Sequence, residues 1–205
     1  MIEVTVARAD SPLLRAGLLD GVYQLRCRVF RQRLGWEVQV RAGRERDHFD
    51  ELRPLWVVAH DLSRRSVHGC CRLLPSQGPN MLRDVFPSLL DGAPIPAGER
   101  LWEVSRFAVD STTGNSPGFG FGQVPIEMLR SLFGYAAAEG VEALIGVTSA
   151  GFARLLRGLG LRFDVLGRPR RIGDVLSLAF HLPIDRQALD AVAAEPSAWL
   201  PRRAA

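Results

Sequence analysis

The spacing of apolar residues divides the chain into strand-like and helix-like segments. Alternating or continuous apolar runs predict strands at 3–7, 55–61, 67–74, 101–109, 143–148, 162–166 and 175–183. Apolar positions at helical spacing predict helices at 12–33, 123–140 and 149–158, with short helical turns at 81–86, at 88–90 and after Asp185. The stretch 36–53 is polar and aperiodic, so it predicts a long loop after the first helix.

The order of these elements predicts an α/β protein. Strands 55–61 and 67–74 are separated by a short turn and form an antiparallel hairpin, whereas 101–109 and 143–148 are joined through a helix. The result is a mixed, mostly antiparallel twisted sheet flanked by helices, a layout that resembles an acetyltransferase-like fold. We expect one domain over residues 1–205, with a partly irregular tail at 186–205.

Composition narrows the class of protein. Apolar residues make up 47% of the 205 residues, which is enough for a full core. No apolar run reaches transmembrane length and the start lacks the pattern of a signal peptide, so we expect a cytoplasmic protein with no membrane partner. The cysteines Cys27, Cys70 and Cys71 lack metal-ligand spacing, and we expect reduced thiols and no metal site.

The positive charge comes entirely from arginine. The chain has 26 cationic residues, all of them Arg, and a formal net charge of +4. The lack of lysine excludes a lysine Schiff base and a P-loop lysine, and it favours bidentate contacts with carboxylates and phosphates. The net charge is too small to indicate nucleic-acid binding, but it suits an acidic protein partner.

The segment 101–122 combines the features that most indicate chemistry. Glu103 and Arg106 lie in an apolar strand, where charges are costly unless they are paired. Strand alternation predicts Glu103 and Ser105 on one face and Arg106 on the other. The glycine run 118–122 opens a helix and can present backbone N–H groups to an anion. A structural ion-pair network and a plain flexible connection are the alternatives.

Residues from the first helix could complete a site around this strand. Arg26 and Phe30 are one helical turn apart, so they share a face of the helix, and Trp36 follows the helix end. Taken alone, an arginine beside an apolar stripe is typical of a surface side chain that extends its charge to solvent.

The polar loop and the hairpin supply further charges. Asp47 and Asp50 lie close together in the loop, which alone would be a solvated acidic turn. Arg72 lies within an apolar strand and needs a buried carboxylate; Asp47, Asp50 and Glu103 are the candidates. The histidines lack the spaced partners that a catalytic triad or a metal site requires.

Together these residues resemble the acyl-homoserine lactone synthases, which make quorum-sensing autoinducers. The similarity spans roughly residues 3–185 and rests on short segments in a specific order: LRCRVFRQRLGW (25–36), ERDHFD (45–50), CRLL (71–74), WEVSRF (102–107) and IGVTSAGFARLLRGLGL (145–161). The family pattern falls without departure on Arg26, Phe30, Trp36, Asp47, Asp50, Arg72, Glu103 and Arg106. The resemblance implies an acetyltransferase-like fold and an acyltransferase activity.

The family reaction joins S-adenosylmethionine to an acyl thioester, usually on acyl carrier protein. The methionine amine attacks the thioester carbonyl, the methionine carboxylate then attacks its own γ-carbon, and methylthioadenosine leaves. S-adenosylmethionine is a substrate, so no cofactor is implied. The expected products are N-acyl-L-homoserine lactone, methylthioadenosine and the free carrier.

The resemblance also implies roles for individual residues. The catalytic set is Glu103, Arg106, Arg26, Asp47, Asp50 and Arg72. Glu103 is the candidate general base for the amine, and Arg26 and Arg106 would hold the substrate carboxylate and order the acidic loop. The aspartates would bind the ammonium group, and Arg72 would hold them in place. Contacts with S-adenosylmethionine are expected from Phe30, Trp36, Arg106 and Asp47, with the rings facing the adenosine and the sulfonium.

The acyl chain needs an apolar tunnel beside strand 143–148. The expected lining is Ser105, Met128, Leu129, Gly146, Val147, Thr148, Ser149, Phe152 and Leu155. Family members that make 3-oxo-acyl products often carry Thr where this chain has Gly146. An unsubstituted acyl group of medium length is therefore expected.

A late basic cluster suits an acidic acyl carrier protein. It comprises Arg154, Arg157, Arg162, Arg168, Arg170 and Arg171. Some relatives use acyl-coenzyme A instead, whose phosphates the same arginines could bind, and a solvated face is the alternative. Loop 114–122 is the expected approach for the phosphopantetheine arm. We expect a monomer with no nucleic-acid partner.

Two other functions are left open by the sequence. A general coenzyme A-dependent N-acyltransferase would act on another amine, and it would not need the acidic loop or the set Arg26, Phe30 and Trp36. A non-catalytic acyl-binding module would leave Glu103 and Arg106 without a role.

Overall fold

The computed structural model describes residues 2–14, 16–110 and 122–194. Its strands are β1 (Ile2–Arg8), β2 (Val40–Arg41), β3 (Arg44–Glu45), β4 (Leu55–Asp61), β5 (Val67–Pro75), β6 (Leu101–Val109), β7 (Ala143–Ser149), β8 (Asp164–Val165), β9 (Arg170–Ile172) and β10 (Val175–Pro183). Its α-helices are α1 (Ala16–Arg26), α2 (Met81–Asp84), α3 (Gln123–Ala138), α4 (Ala150–Gly158) and α5 (Arg186–Ala193). A π-helix (Cys27–Arg33) continues α1, and 3-10 turns occur at His48–Glu51 and Pro87–Leu90.

One large twisted sheet organises the fold. Its strand order is β1-β4-β5-β6-β7-β10-β8, and β9 also pairs with β10. The pairings are antiparallel apart from β6 with β7, which is parallel. The predicted mixed, mostly antiparallel sheet is therefore confirmed.

Helices cover both faces of this sheet. The apolar side chains of α3, α4 and α5 pack with one set of inward-facing strand residues, including Val57, Leu144 and Phe180. Those of α1 and the π-helix pack with the opposite set, including Trp56 and Val58. Because β4 and β5 are covered on both sides, their residues form almost continuous apolar runs.

Several predicted boundaries were wrong. The expected helix at 12–33 is an α-helix only to Arg26 and then widens into the π-helix. The expected loop at 36–53 holds a small β2–β3 hairpin and a 3-10 turn. Backbone hydrogen bonds form both elements, and the sequence there has no apolar periodicity from which they could be predicted. The expected strand at 162–166 shortens to β8, and the basic turn after it contains β9.

A bulge in β6 determines the direction of the side chains at its centre. Cys70 pairs with Ala108 and Arg72 with Ser105, so Cys71 alone lies opposite two residues of β6. Arg106 takes the extra position, with a backbone φ of 55°, in the left-handed region that bulges often use. The bulge interrupts the regular alternation of β6.

The parallel strands β6 and β7 part after a short pairing. Their register joins Leu101–Val104 with Ala143–Gly146, although both strands continue beyond it. The divergence opens the sheet between Ser105 on one side and Val147 on the other. The predicted phosphopantetheine approach at 114–122 lies outside the described residues apart from Gly122.

Among the described parts of the chain, no helix combines the length and the apolar composition that crossing a bilayer would require.

Candidate active site

A buried network of arginines and carboxylates lies beside the centre of the sheet. Its members are Arg26, Arg72, Arg106, Glu45, Asp47 and Asp50. The β2–β3 hairpin and the following 3-10 turn carry the carboxylates, while α1, β5 and β6 carry the arginines. Asp47 and Asp50 cap the 3-10 turn reciprocally, which fixes the two carboxylates relative to each other.

Arg72 is the centre of this network. Its Nη1 atom lies 2.5 Å from Asp47 Oδ1 and 2.5 Å from Asp50 Oδ1, and its Nη2 atom lies 3.1 Å from Asp47 Oδ2. Arg26 donates from Nη1 to Asp50 Oδ1 at 2.7 Å and from Nε to Glu45. Asp47 and Asp50 both bind Arg72 directly, so two of the three carboxylates expected as its partners are found beside it.

Arg106 lies on the other side of the same network. Its Nη2 atom is 3.0 Å from Asp47 Oδ2 and 3.1 Å from Glu45 Oε1. Its Nη1 atom donates to Met81 Sδ at 3.1 Å. The predicted opposite face for Arg106 is wrong, because the bulge turns this side chain towards Asp47, which Arg72 also binds.

Glu103 is not the ion-pair partner of Arg106 that the sequence suggested. Its Oε1 atom accepts a hydrogen bond of 2.7 Å from the Leu82 backbone N–H, at the start of α2. Its Oε2 atom is buried, and no hydrogen-bond partner for it exists among the described residues. One oxygen of the carboxylate is thus fixed and the other is available.

The surroundings shift the pKa values of these groups in different directions. Burial raises the pKa of Glu103, and the backbone N–H groups of Leu82 and Met81 oppose this shift. Burial acts on Asp47 in the same direction, but its hydrogen bond with Arg72 and the nearby positive charges hold the Asp47 pKa below its usual value. Burial lowers the pKa of Arg106, an effect that Glu45 opposes.

An open cavity lies between the π-helix and the sheet where β6 and β7 diverge. Its charged lining includes Glu103 and Arg106. Phe30 and Trp36 also line it, stacked with ring centroids 5.3 Å apart, and the Arg106 guanidinium lies 5.2 Å from the Phe30 ring centre. Arg26, Asp47, Asp50 and Arg72 lie behind this lining and reach the cavity through Arg106.

A second, apolar cavity continues from the first between β6, β7 and α3. Both cavities share Ser105, Phe107, Val147, Thr148 and Phe152. Its other lining residues are Val104, Leu129, Leu132, Phe133, Leu144, Leu156, Phe180 and Leu182. A charged compartment therefore adjoins an apolar one at the point where the strands separate.

Comparison with known proteins identifies this arrangement. A family model described as autoinducer synthase matches residues 10–192. The chain belongs to the autoinducer synthase family. A probable acyl-homoserine-lactone synthase of Sinorhizobium fredii is 39% identical over 169 residues, covering 82% of this chain and 81% of that protein.

Solved structures of autoinducer synthases share the fold. The crystal structure of the acyl-homoserine lactone synthase LasI superposes with a TM-score of 0.84 at 30% identity, covering 94% of both chains. The structure of TofI in a ternary complex with an inhibitor and MTA superposes with a TM-score of 0.76 at 30% identity, covering 95% of this chain and 98% of that one. The expected family, its fold and the enzyme class, an acyltransferase, are confirmed.

Some predicted lining residues of this autoinducer synthase lie elsewhere. Met128 is fully buried against β5, where its sulfur approaches Gly69, and Leu155 on α4 lines neither cavity. Gly146 lies at the last β6–β7 pair, where a Cβ atom would overlap the Val104 carbonyl oxygen and lie 3.1 Å from Phe180 Cζ. Ser149 lines the first cavity and caps α4 by accepting from the Phe152 N–H.

The arginines of the predicted carrier face are exposed, but some of them make contacts within the protein. Exposed side chains on and after α4 are Arg154, Arg157, Arg162, Arg168, Arg170 and Arg171. Arg157 lies over the Phe163 ring at 4.5 Å, and Arg170 is paired with Asp91. The positive surface next to the strand opening is thus provided mainly by α4 and the segment that follows it.

The sequence interpretation missed Glu45, Met81 and Phe86. Glu45 is fully buried between Arg26 and Arg106, and its position two residues before Asp47 in an arginine-rich loop was the available signal. Met81 and Phe86 line the first cavity, and Phe86 meets the Trp36 ring edge-on at 6.4 Å. No local pattern indicates that α2 would approach Trp36.

Proposed function

We propose that this chain synthesises an N-acyl-L-homoserine lactone for quorum sensing, by acylating S-adenosylmethionine from an acyl thioester and closing the lactone. The observation that carries the proposal is that Glu103, whose Oε2 atom has no partner among the described residues, and Arg106 line one cavity that adjoins an apolar one. The reaction needs all three, because it activates an amine, orients a carboxylate and accommodates an acyl chain.

S-adenosylmethionine fits the first cavity by charge and shape. Arg106 offers a guanidinium to the methionine carboxylate, and the network behind it fixes its orientation. Phe30 and Trp36 provide ring faces for the sulfonium and the adenine. Support also comes from TofI, whose solved complex contains MTA (methylthioadenosine), one of the products of this reaction.

Glu103 acts as the general base in the first step. The amine nitrogen forms a bond with the thioester carbonyl carbon, the C–S bond of the thioester breaks, and the carrier leaves as its thiol. The amine proton passes to Glu103 Oε2, directly or through one water, and from there to the departing thiolate, so the carrier leaves as its thiol and Glu103 is ionised again. Because the Leu82 N–H already binds Oε1, the unpartnered Oε2 is the oxygen that can take this proton.

Lactone closure follows within the acylated product. A methionine carboxylate oxygen forms a bond with the γ-carbon while the bond from that carbon to the sulfonium sulfur breaks. Methylthioadenosine leaves as a neutral thioether, so no external acid is needed. Arg106 orients the carboxylate for this displacement, which is a matter of positioning rather than proton transfer.

The acyl group lies in the second cavity. The cavity is lined by carbon-rich side chains of α3, β7 and α4, which suits an unsubstituted chain of medium length. Gly146 leaves the β6–β7 junction without a side chain that could bind a 3-oxo group.

Acyl carrier protein is the proposed donor. The arginines of α4 are exposed on the helix whose Phe152 and Leu156 line the second cavity, so an acidic carrier bound to them could deliver its arm there. Acyl-coenzyme A is the second candidate, because exposed arginines also bind phosphates. Both donors belong to the cytoplasm.

Product analysis tests the proposal. The protein is incubated with S-adenosylmethionine and a panel of carrier and coenzyme A thioesters, and lactone and methylthioadenosine are measured by mass spectrometry. Both products are expected, with a carrier thioester preferred. If no donor yields methylthioadenosine, the proposal fails, and acylation of an amine other than that of S-adenosylmethionine would favour a general N-acyltransferase.

A further inference from the structure

Asn80 connects the end of β5 to the turn that binds Glu103. Its side chain is fully buried, and every polar group on it is bonded. The amide nitrogen donates to the carbonyl oxygens of Ser76 at 3.1 Å and Gly78 at 3.0 Å, and the amide oxygen accepts from the Arg83 N–H at 3.0 Å. Asn80 thus ties the connection after β5 to the first turn of α2.

The backbone of Asn80 strengthens the same turn. Its N–H donates to Asp84 Oδ2 at 3.0 Å, and its carbonyl oxygen accepts from the Asp84 N–H at 3.0 Å. Since α2 is only one turn long, few helical hydrogen bonds support it, and the cap makes up a large share of its stabilisation.

Strand pairing and hydrogen bonds link Glu103, α2 and the end of β5 to one another. Leu74 near the end of β5 pairs directly with Glu103 on β6, and Asn80 fixes α2 relative to that end of β5. The Leu82 N–H then meets Glu103 Oε1 at 2.7 Å, while Oε2 is left without a partner among the described residues. The direction of the free oxygen therefore depends on the position of α2.

We propose that Asn80 is a positioning residue for Glu103: by fixing the turn at Met81–Asp84, it holds one carboxylate oxygen on the backbone of that turn and leaves the other oxygen of this cavity-lining residue without a protein partner. The inference rests on the proposed function in taking Glu103 as the general base. Asn80 itself lines neither cavity, so it acts through the turn and not on the substrate.

The test compares Asn80→Ala with two other variants. Asn80→Ser keeps an oxygen that can accept from the Arg83 N–H and should recover part of the loss. Asp185→Ala is the matched control, because Asp185 caps α5 through the Ala188 N–H, away from both cavities. Thermal unfolding of each variant confirms that it is folded.

The expected result is specific to a positioning role. Asn80→Ala should lower kcat by about tenfold or more, with KM for S-adenosylmethionine changing less than about twofold. The acidic limb of its pH–kcat profile should move to higher pH, because weaker N–H contacts stabilise the ionised carboxylate less. Asn80→Ser should recover both values in part, and Asp185→Ala should retain the wild-type profile.

Two outcomes overturn the inference: an unchanged kcat and pH limb in Asn80→Ala, or equal changes in Asp185→Ala. If the alanine variant does not fold, Asn80→Gly removes the same side chain at a capping position that tolerates glycine. If the wild type makes no methylthioadenosine, the proposed function fails separately. The Glu103 carboxyl is then titrated by carbon-13 NMR, identified by its loss in Glu103→Gln; a higher pKa in Asn80→Ala supports the positioning role and an equal one overturns it.

Discussion

Arg72 and Asp50 form an ion pair of 2.5 Å in which both side chains are fully buried. The pair is one link in a network of three arginines and three carboxylates that is buried apart from the partly exposed Asp47, so each charge depends on its neighbours for compensation. Neutralising one carboxylate therefore leaves one excess positive charge inside the protein.

Asp50→Asn is expected to lower the free energy of unfolding by about 3–5 kcal/mol, because it removes the negative charge from a buried ion pair. Asparagine keeps the size and shape of the aspartate side chain. Urea unfolding measures the loss. The control is Asp10→Asn, which breaks the exposed pair with Arg53 and should leave the urea midpoint almost unchanged, because solvent screens that pair. Equal losses of stability in the two variants would show that burial does not determine how much the network contributes to the free energy of unfolding.

The sequence anticipated this network only in part. Continuous apolar runs identified β4 and β5, and apolar alternation identified β10, because their side chains lie in a core that the pattern reflects. The bulge at Arg106 could not be predicted, since it depends on which residue of β5 lies opposite. The partner of Glu103 was also hidden, because a backbone N–H group leaves no residue type to recognise.

Glu103→Gln is expected to fold and to lose about 100-fold or more in kcat, the usual contribution of a general base. The amide keeps an acceptor for the Leu82 N–H but cannot take a proton from the amine. Lactone formation under saturating substrates measures the loss. Glu142→Gln is the control, because Glu142 is an exposed carboxylate paired with Arg100 on the surface. Wild-type turnover in Glu103→Gln would remove this residue from the mechanism.

The pH dependence of kcat should follow the environment of Glu103. Burial raises the pKa of its carboxyl, and the base must be ionised to accept the proton. The rate should therefore increase as the pH rises through a value above that of an ordinary glutamate, and it should be lost below it. A pH–kcat profile of the wild type measures this limb. A limb at or below the ordinary glutamate value would assign it to another group.

The pKa of Asp47 is shifted in the direction opposite to that of Glu103, and this shift should affect stability in acid. Its pKa is held down in the folded protein despite burial, mainly through Arg72, so its stabilising contribution is complete above the unfolded pKa and disappears as the pH falls through the lowered folded value. Asp47→Asn should flatten the loss of stability in that acidic range. Urea midpoints from neutral to strongly acidic pH give the slope, and an unchanged slope would contradict the assignment.

Gly146→Ala is expected to destabilise the β6–β7 junction by about 1–3 kcal/mol, because the added methyl group would overlap the Val104 carbonyl oxygen and press on Phe180. The strands must move apart, which alters the second cavity, so the preferred acyl chain length should change as well.

Gly134→Ala gives the contrast. Gly134 is exposed on α3 with open space around its Cβ position, and alanine there should increase stability by about 0.5–1 kcal/mol. Thermal unfolding and a series of acyl thioesters measure both effects, and equal stabilisation by the two substitutions would contradict the tight junction.

The exposed arginines on α4 and in the segment that follows it provide the test of the donor. Reversing one charge in each, with Arg154→Glu and Arg162→Glu together, should lower kcat/KM for a carrier thioester by about tenfold, because an acidic carrier is steered to this surface. The loss should shrink as salt is added, since screening already weakens steering in the wild type. The kcat at saturating carrier should change little, because the reacting groups are untouched. The matched control reverses Arg8 and Arg65, which are exposed at strand ends outside both cavities. An unchanged kcat/KM for the carrier thioester, or the same salt-dependent loss in the control, would exclude α4 as the docking surface.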